Sequence, residues 1–308
     1  MKQILYIGVV LVLTLLMSGC FTGVENTKKI TDRDVERAIQ EMERGRHETA
    51  LTPYHDSLPA WREGKGFWVV DDRAAFIFQP SPSYNLDSLQ LRGKRLSYVS
   101  HGTRRRVDNS EVVDVVFMCD SLRLVCSTGK SLADASRPSF AIPFLVDDDM
   151  VEHYARQLVG KTVWVKTSVW FDGAGNYKAG GRKFVPVVIT AVKPGNDIYP
   201  LMVEFRDGDN EATLWMTTEG GSISGRDFDA LFSMTDVRKQ YPRITDETWQ
   251  RIVDGNVAEG MTKEECRLAM GSPKNVTQLP DQGGLREYWY YDGGRYLFFV
   301  DGVLKEYR

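Results

Sequence analysis

The spacing of apolar residues near the C-terminus predicts two short helices. One begins after Thr245 and stops near Gly255, and the other begins after Thr262, where Glu265 completes a capping box. Apolar residues recur in each helix at the interval of one helical turn, which gives each helix one apolar face. The residues on these faces are Trp249, Ile252, Val253, Cys266, Ala269 and Met270. A Gly-Ser-Pro sequence then ends the second helix.

Three aromatic-rich strands are predicted after these helices. They cover residues 286–291, 295–300 and 303–307, and Asp-Gly-Gly and Asp-Gly turns separate them. Side chains alternate between the two faces of a strand, so about half of the aromatic residues must face the helices, and the pattern does not show which half. The candidates for an exposed interface are Trp289, Tyr288, Tyr290, Tyr296 and Phe298.

From Lys65 onward the apolar period changes to two, which predicts strands. GFWVVDDRAAFIF is expected to form a hairpin that turns at residues 71–73. Residues 91–99 and 158–165 each place a leucine and a Gly-Lys pair before alternating apolar residues, so each could open a similar module. Short strands between Gly, Asn and Asp turns are typical of small barrels or sandwiches. Two tandem β-rich modules are expected, and one larger β-domain is the alternative.

Two further helices are predicted outside the C-terminal region. One follows Thr31, and the other lies in DDDMVEHYARQLVG between the two β-rich stretches. Their inward-facing residues are predicted to be Val35, Ala38, Ile39, Met42, Val151, Tyr154 and Leu158.

The first twenty residues have the pattern of an export signal that ends at a cysteine. The apolar run over residues 4–17 is too short to span a bilayer and has the length of a signal-peptide core. Leu16-Met17-Ser18-Gly19-Cys20 resembles a bacterial lipobox, which implies an N-acyl diacylglycerol lipid on Cys20. An ordinary secretory signal is the alternative. Phe21 rather than Asp follows the cysteine, so the resemblance to lipoprotein sorting implies an outer-membrane anchor. No acidic run follows Cys20, so the body is expected to face the periplasm.

The C-terminal stretch EGMTKEECRLAMGSPKNV, followed by YWYYDGG and YLFFVDGVL, resembles the SmpA/OmlA (BamE-like) family of outer-membrane lipoprotein domains. The resemblance covers residues 244–308 and departs from the family at Cys266, where an aliphatic residue is usual. It implies a two-helix layer on an antiparallel sheet and a non-enzymatic role in the cell envelope.

These patterns together predict an α+β fold, in which N-terminal β-rich modules (small barrels or a sandwich) precede a two-helix, three-stranded antiparallel BamE-like domain. The expected boundaries are residues 1–19 for the signal peptide, 20–64 for a tether and helix, 65–156 and 157–235 for the two β-rich modules, and 236–308 for the C-terminal domain.

Composition and motifs limit the partners and reactions to be expected of this protein. A net charge of −3 argues against nucleic acid as the main partner. The four histidines share no ligand spacing, and neither a nucleophile elbow nor a phosphate-binding loop occurs. We therefore expect a protein that is not an enzyme and that holds no metal and no cofactor besides the lipid on Cys20. Cys119 and Cys126 fall in one β-rich stretch, where they could form a disulfide or remain as buried thiols.

Two surface patterns have a specific and a general interpretation. Arg92, Lys94 and Arg95, with residues 104–106, could form one basic cluster that touches anionic lipid head groups, or a solvated hairpin face. The tripeptide Asp-Ser-Leu occurs three times and resembles the acceptor pattern of a bacterial O-glycosylation system, although each copy could equally be a turn before a strand. The acceptor residues would be Ser57, Ser88 and Ser121.

Two functional classes follow from these observations. The first is a lipoprotein of the outer membrane, a non-enzymatic scaffold in envelope assembly or maintenance, whose C-terminal domain contacts an envelope protein such as the outer-membrane β-barrel assembly machinery. The second is an anchored periplasmic module that binds a ligand or inhibits an enzyme. A broad aromatic surface would favour the first class, and a deep pocket would favour the second.

Overall fold

The computed structural model describes residues 51–81, 84–85, 89–138, 140–218, 225–281 and 284–308. The predicted signal peptide, Cys20, the helix after Thr31 and Ser88 lie outside these residues. The described residues all belong to one compact unit.

The described chain is mostly β-structure, in three antiparallel sheets. The strands are β1 (Gly66–Val69), β2 (Arg95–Arg105), β3 (Glu111–Cys119), β4 (Leu122–Ser127), β5 (Leu145–Asp147), β6 (Thr162–Val165), β7 (Trp170–Phe171), β8 (Tyr177–Lys178), β9 (Val185–Pro194), β10 (Leu201–Asp207), β11 (Asn210–Met216), β12 (Phe232–Ser233), β13 (Asn275–Asp281), β14 (Gly284–Tyr290), β15 (Tyr296–Val300) and β16 (Val303–Tyr307). The helices are α1 (Leu132–Ala135), α2 (Asp148–Leu158), α3 (Phe228–Leu231), α4 (Asp246–Val253) and α5 (Lys263–Met270). The strand orders are β4-β3-β2-β1-β5, β12-β6-β9-β10-β11-β7-β8 and β13-β14-β15-β16.

The predicted α+β fold ending in a two-helix, three-stranded BamE-like domain is therefore wrong. Sheets dominate the molecule, and its C-terminal region is built on a four-stranded antiparallel sheet. The strand that the sequence pattern missed is β13, which pairs with β14 from Asn275 to Asp281. As an edge strand with exposed side chains from 275 to 279, β13 carries no alternation of apolar and polar residues that would reveal it.

The hairpin predicted at residues 71–73 is also wrong. Asp71 instead accepts a hydrogen bond from the N–H of Arg73 and begins a 3₁₀ helix, Asp72–Ile77. Strand β1 pairs with β2 and with β5, both distant in sequence. Local pattern cannot reveal a partner so far along the chain.

The repeated Leu-Gly-Lys motif forms the same turn twice. Gly93 and Gly160 have φ angles of 79° and 81°, a region that favours glycine. In each motif the lysine N–H donates to the leucine carbonyl, at 2.9 Å and 3.0 Å. The turns lead into β2 of the first sheet and β6 of the second.

The helix predicted between the β-rich stretches is confirmed as α2. Val151, Tyr154 and Leu158 are buried, as expected, and lie in the core of the second sheet. The extended segment 51–57, which we call the strap, binds to this helix. The N–H of Thr52 donates to Gln157 Oε1 (2.7 Å), and the N–H of Tyr54 donates to the Tyr154 hydroxyl (3.4 Å).

The centre of the strap contact is Lys65, whose side chain is 5% exposed. Its Nζ lies 3.1 Å from Asp56 in the strap, 2.8 Å from Asp147 and 2.6 Å from Asp149. Burial alone would lower the pKa of Lys65, but the hydrogen bonds to Asp147 and Asp149 raise it above its usual value. A buried cation thus joins the strap to the start of α2.

The helices α4 and α5 form as predicted and cover one face of the C-terminal sheet. Thr245 caps α4, and Thr262 with Glu265 forms the predicted capping box at α5. The core between helices and sheet contains Ile244, Ile252, Met261, Cys266, Ala269, Trp289, Leu297, Phe299 and Leu304.

A buried lysine connects the second sheet to these helices. Lys183 Nζ donates to the carbonyls of Leu268 (2.9 Å) and Ala269 at the end of α5, and its backbone N–H donates to Val253 at the end of α4 (3.3 Å). The ring of Phe184 lies 5.6 Å from that of Trp249, centroid to centroid. We call this contact the joint.

Candidate functional site: an aromatic surface on the C-terminal sheet

Strand register decides which of the candidate aromatic residues face solvent. Tyr288 pairs with Phe298, and Tyr290 pairs with Tyr296, so all four side chains share the face opposite the helices. Tyr290 is 42% exposed and the other three are partly exposed. We call these four residues the aromatic face.

The rings of the aromatic face pack against one another. Centroid separations are 4.6 Å for Tyr288 and Phe298, 6.3 Å for Tyr288 and Tyr290, and 6.5 Å for Tyr288 and Tyr296. The first two pairs are nearly parallel, with interplanar angles of 28° and 15°. Rings that stack on their neighbours lose little further freedom when a partner covers them, so the face is already organised for binding.

Trp289, the fifth candidate, lies on the opposite side of the sheet. It is 1% exposed, its Nε1 donates to Glu287 Oε1 (3.2 Å), and the guanidinium of Arg267 lies 4.9 Å from its ring centroid. Glu287 is itself buried and forms an ion pair with Lys263. In this structure Trp289 is a core residue and cannot be an exposed anchor.

One carboxylate borders the aromatic face. The hydroxyl of Tyr296 donates to Glu306 on β16, and this hydrogen bond raises the pKa of Tyr296 above its usual value. Glu306 therefore fixes the position of one hydroxyl group of the aromatic face.

The predicted basic cluster separates into two groups. Arg95 and Arg104 lie near opposite ends of β2, and nine residues of strand span roughly 30 Å. Each group also forms ion pairs with acidic side chains. Lys94 Nζ lies 3.5 Å from Asp120 Oδ2, and Arg104 Nε lies 2.8 Å from Asp114 Oδ2. The arrangement fits the solvated hairpin face and does not form one lipid-binding patch.

The serines of the Asp-Ser-Leu tripeptides differ in accessibility. Ser121 is exposed in the turn between β3 and β4, whereas Ser57 is partly buried, next to the fully buried Leu58. Ser88 lies outside the described residues. Glycosylation stays a prediction, which an intact mass equal to that of the bare lipidated chain would contradict.

Cys119, Cys126 and Cys266 are buried free thiols, so the disulfide alternative does not hold in this structure. Cys119 lies opposite Leu122, and Cys126 lies opposite Val115, so strand register keeps the first two sulfur atoms apart. Burial raises the pKa of Cys126 and Cys266 to about 12.

The described ranges also contain a small cavity. A cavity of about 70 Å³ lies between α2, α3 and the end of β11, well below the roughly 300–1,000 Å³ of typical small-molecule pockets. In the same ranges, no three His, Cys, Asp or Glu side chains come together as metal ligands, and no helix has the length and apolarity to cross a bilayer.

Sequence reasoning missed the edge strand β13 and the two buried lysines, Lys65 and Lys183. A lysine in a polar loop gives no sequence signal of burial, because its partners come from distant segments. Comparison of the chain with models of known protein families finds no match, and comparison with curated proteins finds none either.

Proposed function

We propose that this protein is a lipid-anchored scaffold of the cell envelope that binds another envelope protein through the aromatic face. The observation that carries the proposal is a group of four partly exposed aromatic residues, in contact through Tyr288, on one side of a sheet whose other side is packed by helices. Tyrosine and phenylalanine are favoured anchors of protein interfaces, since they cover a large area and lose little conformational entropy.

The lipid anchor is the second part of the proposal and rests on sequence alone. Residues 16–20 would direct lipid attachment to Cys20, and the acyl chains would hold the protein at the outer membrane. Replacement Cys20→Ala should abolish incorporation of an alkyne-tagged palmitate and leave the protein extractable without detergent. Undiminished labelling of that variant would contradict the anchor.

The partner is tested by cross-linking in cells with the tagged full-length chain. A variant with Tyr288→Ala and Tyr290→Ala should lose the partner, and components of the outer-membrane β-barrel assembly machinery are the expected captures. The matched control is Tyr177→Ala, which removes a 65% exposed tyrosine from β8 of the second sheet. Equal capture by all three proteins, or no specific capture by wild type, would overturn the proposal.

Capture of an enzyme alone would support the inhibitory alternative. The small volume of the cavity gives a small-molecule ligand less support than the aromatic face gives a protein partner.

A further inference from the structure

The C-terminal sheet ends in an edge strand that no other described strand covers. Strand β13 is last in the order β13-β14-β15-β16, and it pairs only with β14 among the described residues. Its outer side therefore offers a row of main-chain N–H and C=O groups over about seven residues. Such a row matches one kind of occupant, an extended polypeptide.

Most other edges in the described ranges are short or covered. On β16, residues 260–262 add main-chain hydrogen bonds to Leu304, at 2.9 Å and 2.8 Å, and Thr262 forms a bridge with Val303. On β4, the N–H of Gln79 donates to Val125 (2.8 Å). The edge strands β5, β8 and β12 have two or three residues each. The part of β2 beyond its pairing with β1 is also open among the described residues, but it carries Arg104 and Arg105, whereas residues 275–279 of β13 carry no charge.

Exposed apolar side chains occur near this edge on both faces of the sheet, beside the polar residues Asn275, Thr277 and Gln278. Val276 and Leu285 lie on the helix side and are 43% and 38% exposed, while Leu279 and Tyr290 lie on the opposite side and are 50% and 42% exposed. No charged residue occurs from 275 to 279, although charges are the usual protection of an exposed edge. The edge is therefore suited to an uncharged, apolar strand.

We propose that β13 binds an extended, uncharged segment of a partner protein, which adds a fifth strand to the C-terminal sheet. The inference rests on the proposed function, because it takes a protein partner for granted and adds how that partner is held. The added strand would continue the sheet beside Thr277, which pairs with Tyr288 of the aromatic face. One partner could then contact both the edge and the aromatic face.

A second copy of this chain fits the edge less well. Pro280 lacks an N–H, so it can donate no hydrogen bond to an added strand. If two copies paired antiparallel through β13, the missing N–H would occur twice in the new pairing. A strand from another protein would face it only once. Pairing over the remaining five residues of β13 would also bury little area for a stable dimer.

The test is site-specific photocross-linking in cells with the full-length chain. The probe is p-benzoylphenylalanine, placed in separate variants at Val276, at Gln278 and, for the aromatic face, at Tyr290. Cross-linked partner residues are identified by mass spectrometry. If the partner adds a strand, moving the probe by two residues along β13 should move the cross-linked partner residue by two positions.

Edge charges provide the second measurement. Val276→Lys combined with Leu279→Lys should lower the yield from a probe at Gln278 by about tenfold or more, because one added charge would border the added strand on each face of the sheet. The matched control combines Val169→Lys with Ile198→Lys, two exposed apolar residues of the second-sheet region. Unfolding of the two double variants is compared first, so that a loss of folding is recognised.

The outcomes separate this inference from the proposed function. Cross-links from Tyr290 without a register-dependent cross-link from β13 would retain the protein partner and overturn the added strand. Cross-links from β13 only to a second copy would also overturn it. Absence of any partner cross-link from all three positions would overturn both.

Discussion

Lys183 shows what burial does to a single ionisable group. Its ammonium lies against main-chain carbonyls at the end of α5, and burial lowers the pKa of Lys183 to about 8. A lysine in an unfolded chain has a pKa of about 10.4. Between these pH values the unfolded state binds more protons than the folded state, so this residue makes the free energy of unfolding rise with pH.

We expect the contribution of Lys183 to the pH dependence to disappear when Lys183 is replaced by methionine. Between pH 7.5 and 9.5, the wild-type free energy of unfolding should gain about 1–2 kcal/mol relative to Lys183→Met. Urea unfolding at several pH values measures this difference. Lys193→Met, at an exposed position paired with Glu204, is the control and should parallel wild type. Parallel curves for Lys183→Met and wild type would contradict the assignment.

The buried thiols give a second prediction at the residue scale. Cys119, Cys126 and Cys266 should react slowly with a thiol reagent at pH 8 in the folded protein, because they are buried and because burial raises their pKa values. In denaturant without reductant, all three should react. If only one thiol reacts in denaturant, Cys119 and Cys126 form a disulfide.

Among the elements, α5 has the clearest local signal. The capping box of Thr262 and Glu265 satisfies donors at the helix start, so Thr262→Ala should lower the free energy of unfolding by about 1 kcal/mol. Thr262→Ser keeps the hydroxyl and should change the free energy of unfolding much less. Chemical denaturation of both variants is the measurement, and equal losses would show that the methyl group rather than the cap matters.

Truncation of side chains on the two faces of β14 should change the free energy of unfolding by very different amounts. Trp289→Ala removes a large side chain from the core and should cost about 3–5 kcal/mol. Tyr290→Ala, on the aromatic face, should change the free energy of unfolding by less than about 0.5 kcal/mol while weakening partner capture. A stability loss of similar size for both would contradict the assigned strand faces.

The sequence predicts the elements whose signals are local. Caps and apolar faces place α2, α4 and α5, and aromatic runs place β14 and β15. Alternation also shows that half of the aromatic residues must be buried, but only the observed packing of helices on Trp289 and Phe299 decides which half. The strand β13 and the pairing of β1 with β5 depend on contacts between distant segments, which no local pattern specifies.

At the scale of the molecule, the strap around Lys65 fixes the start of the described body. We expect Lys65→Met to release it, because Asp56 and Asp147 would then lose the cation that holds them together. Hydrogen exchange at the amides of Thr52 and Tyr54 should become faster by about tenfold or more. Lys94→Met, which removes an exposed ion pair with Asp120, is the control. Unchanged exchange in the Lys65 variant would show that the contacts to α2 suffice.

The joint has a mechanical consequence for the second sheet and the C-terminal sheet. Lys183 and Phe184 bring a main-chain hydrogen bond, a buried ammonium and a contact between two tilted rings to one small area between the second sheet and the C-terminal helices. Tension on the C-terminal sheet would therefore reach the second sheet through these contacts. Under load, the second sheet and the C-terminal sheet are expected to move together.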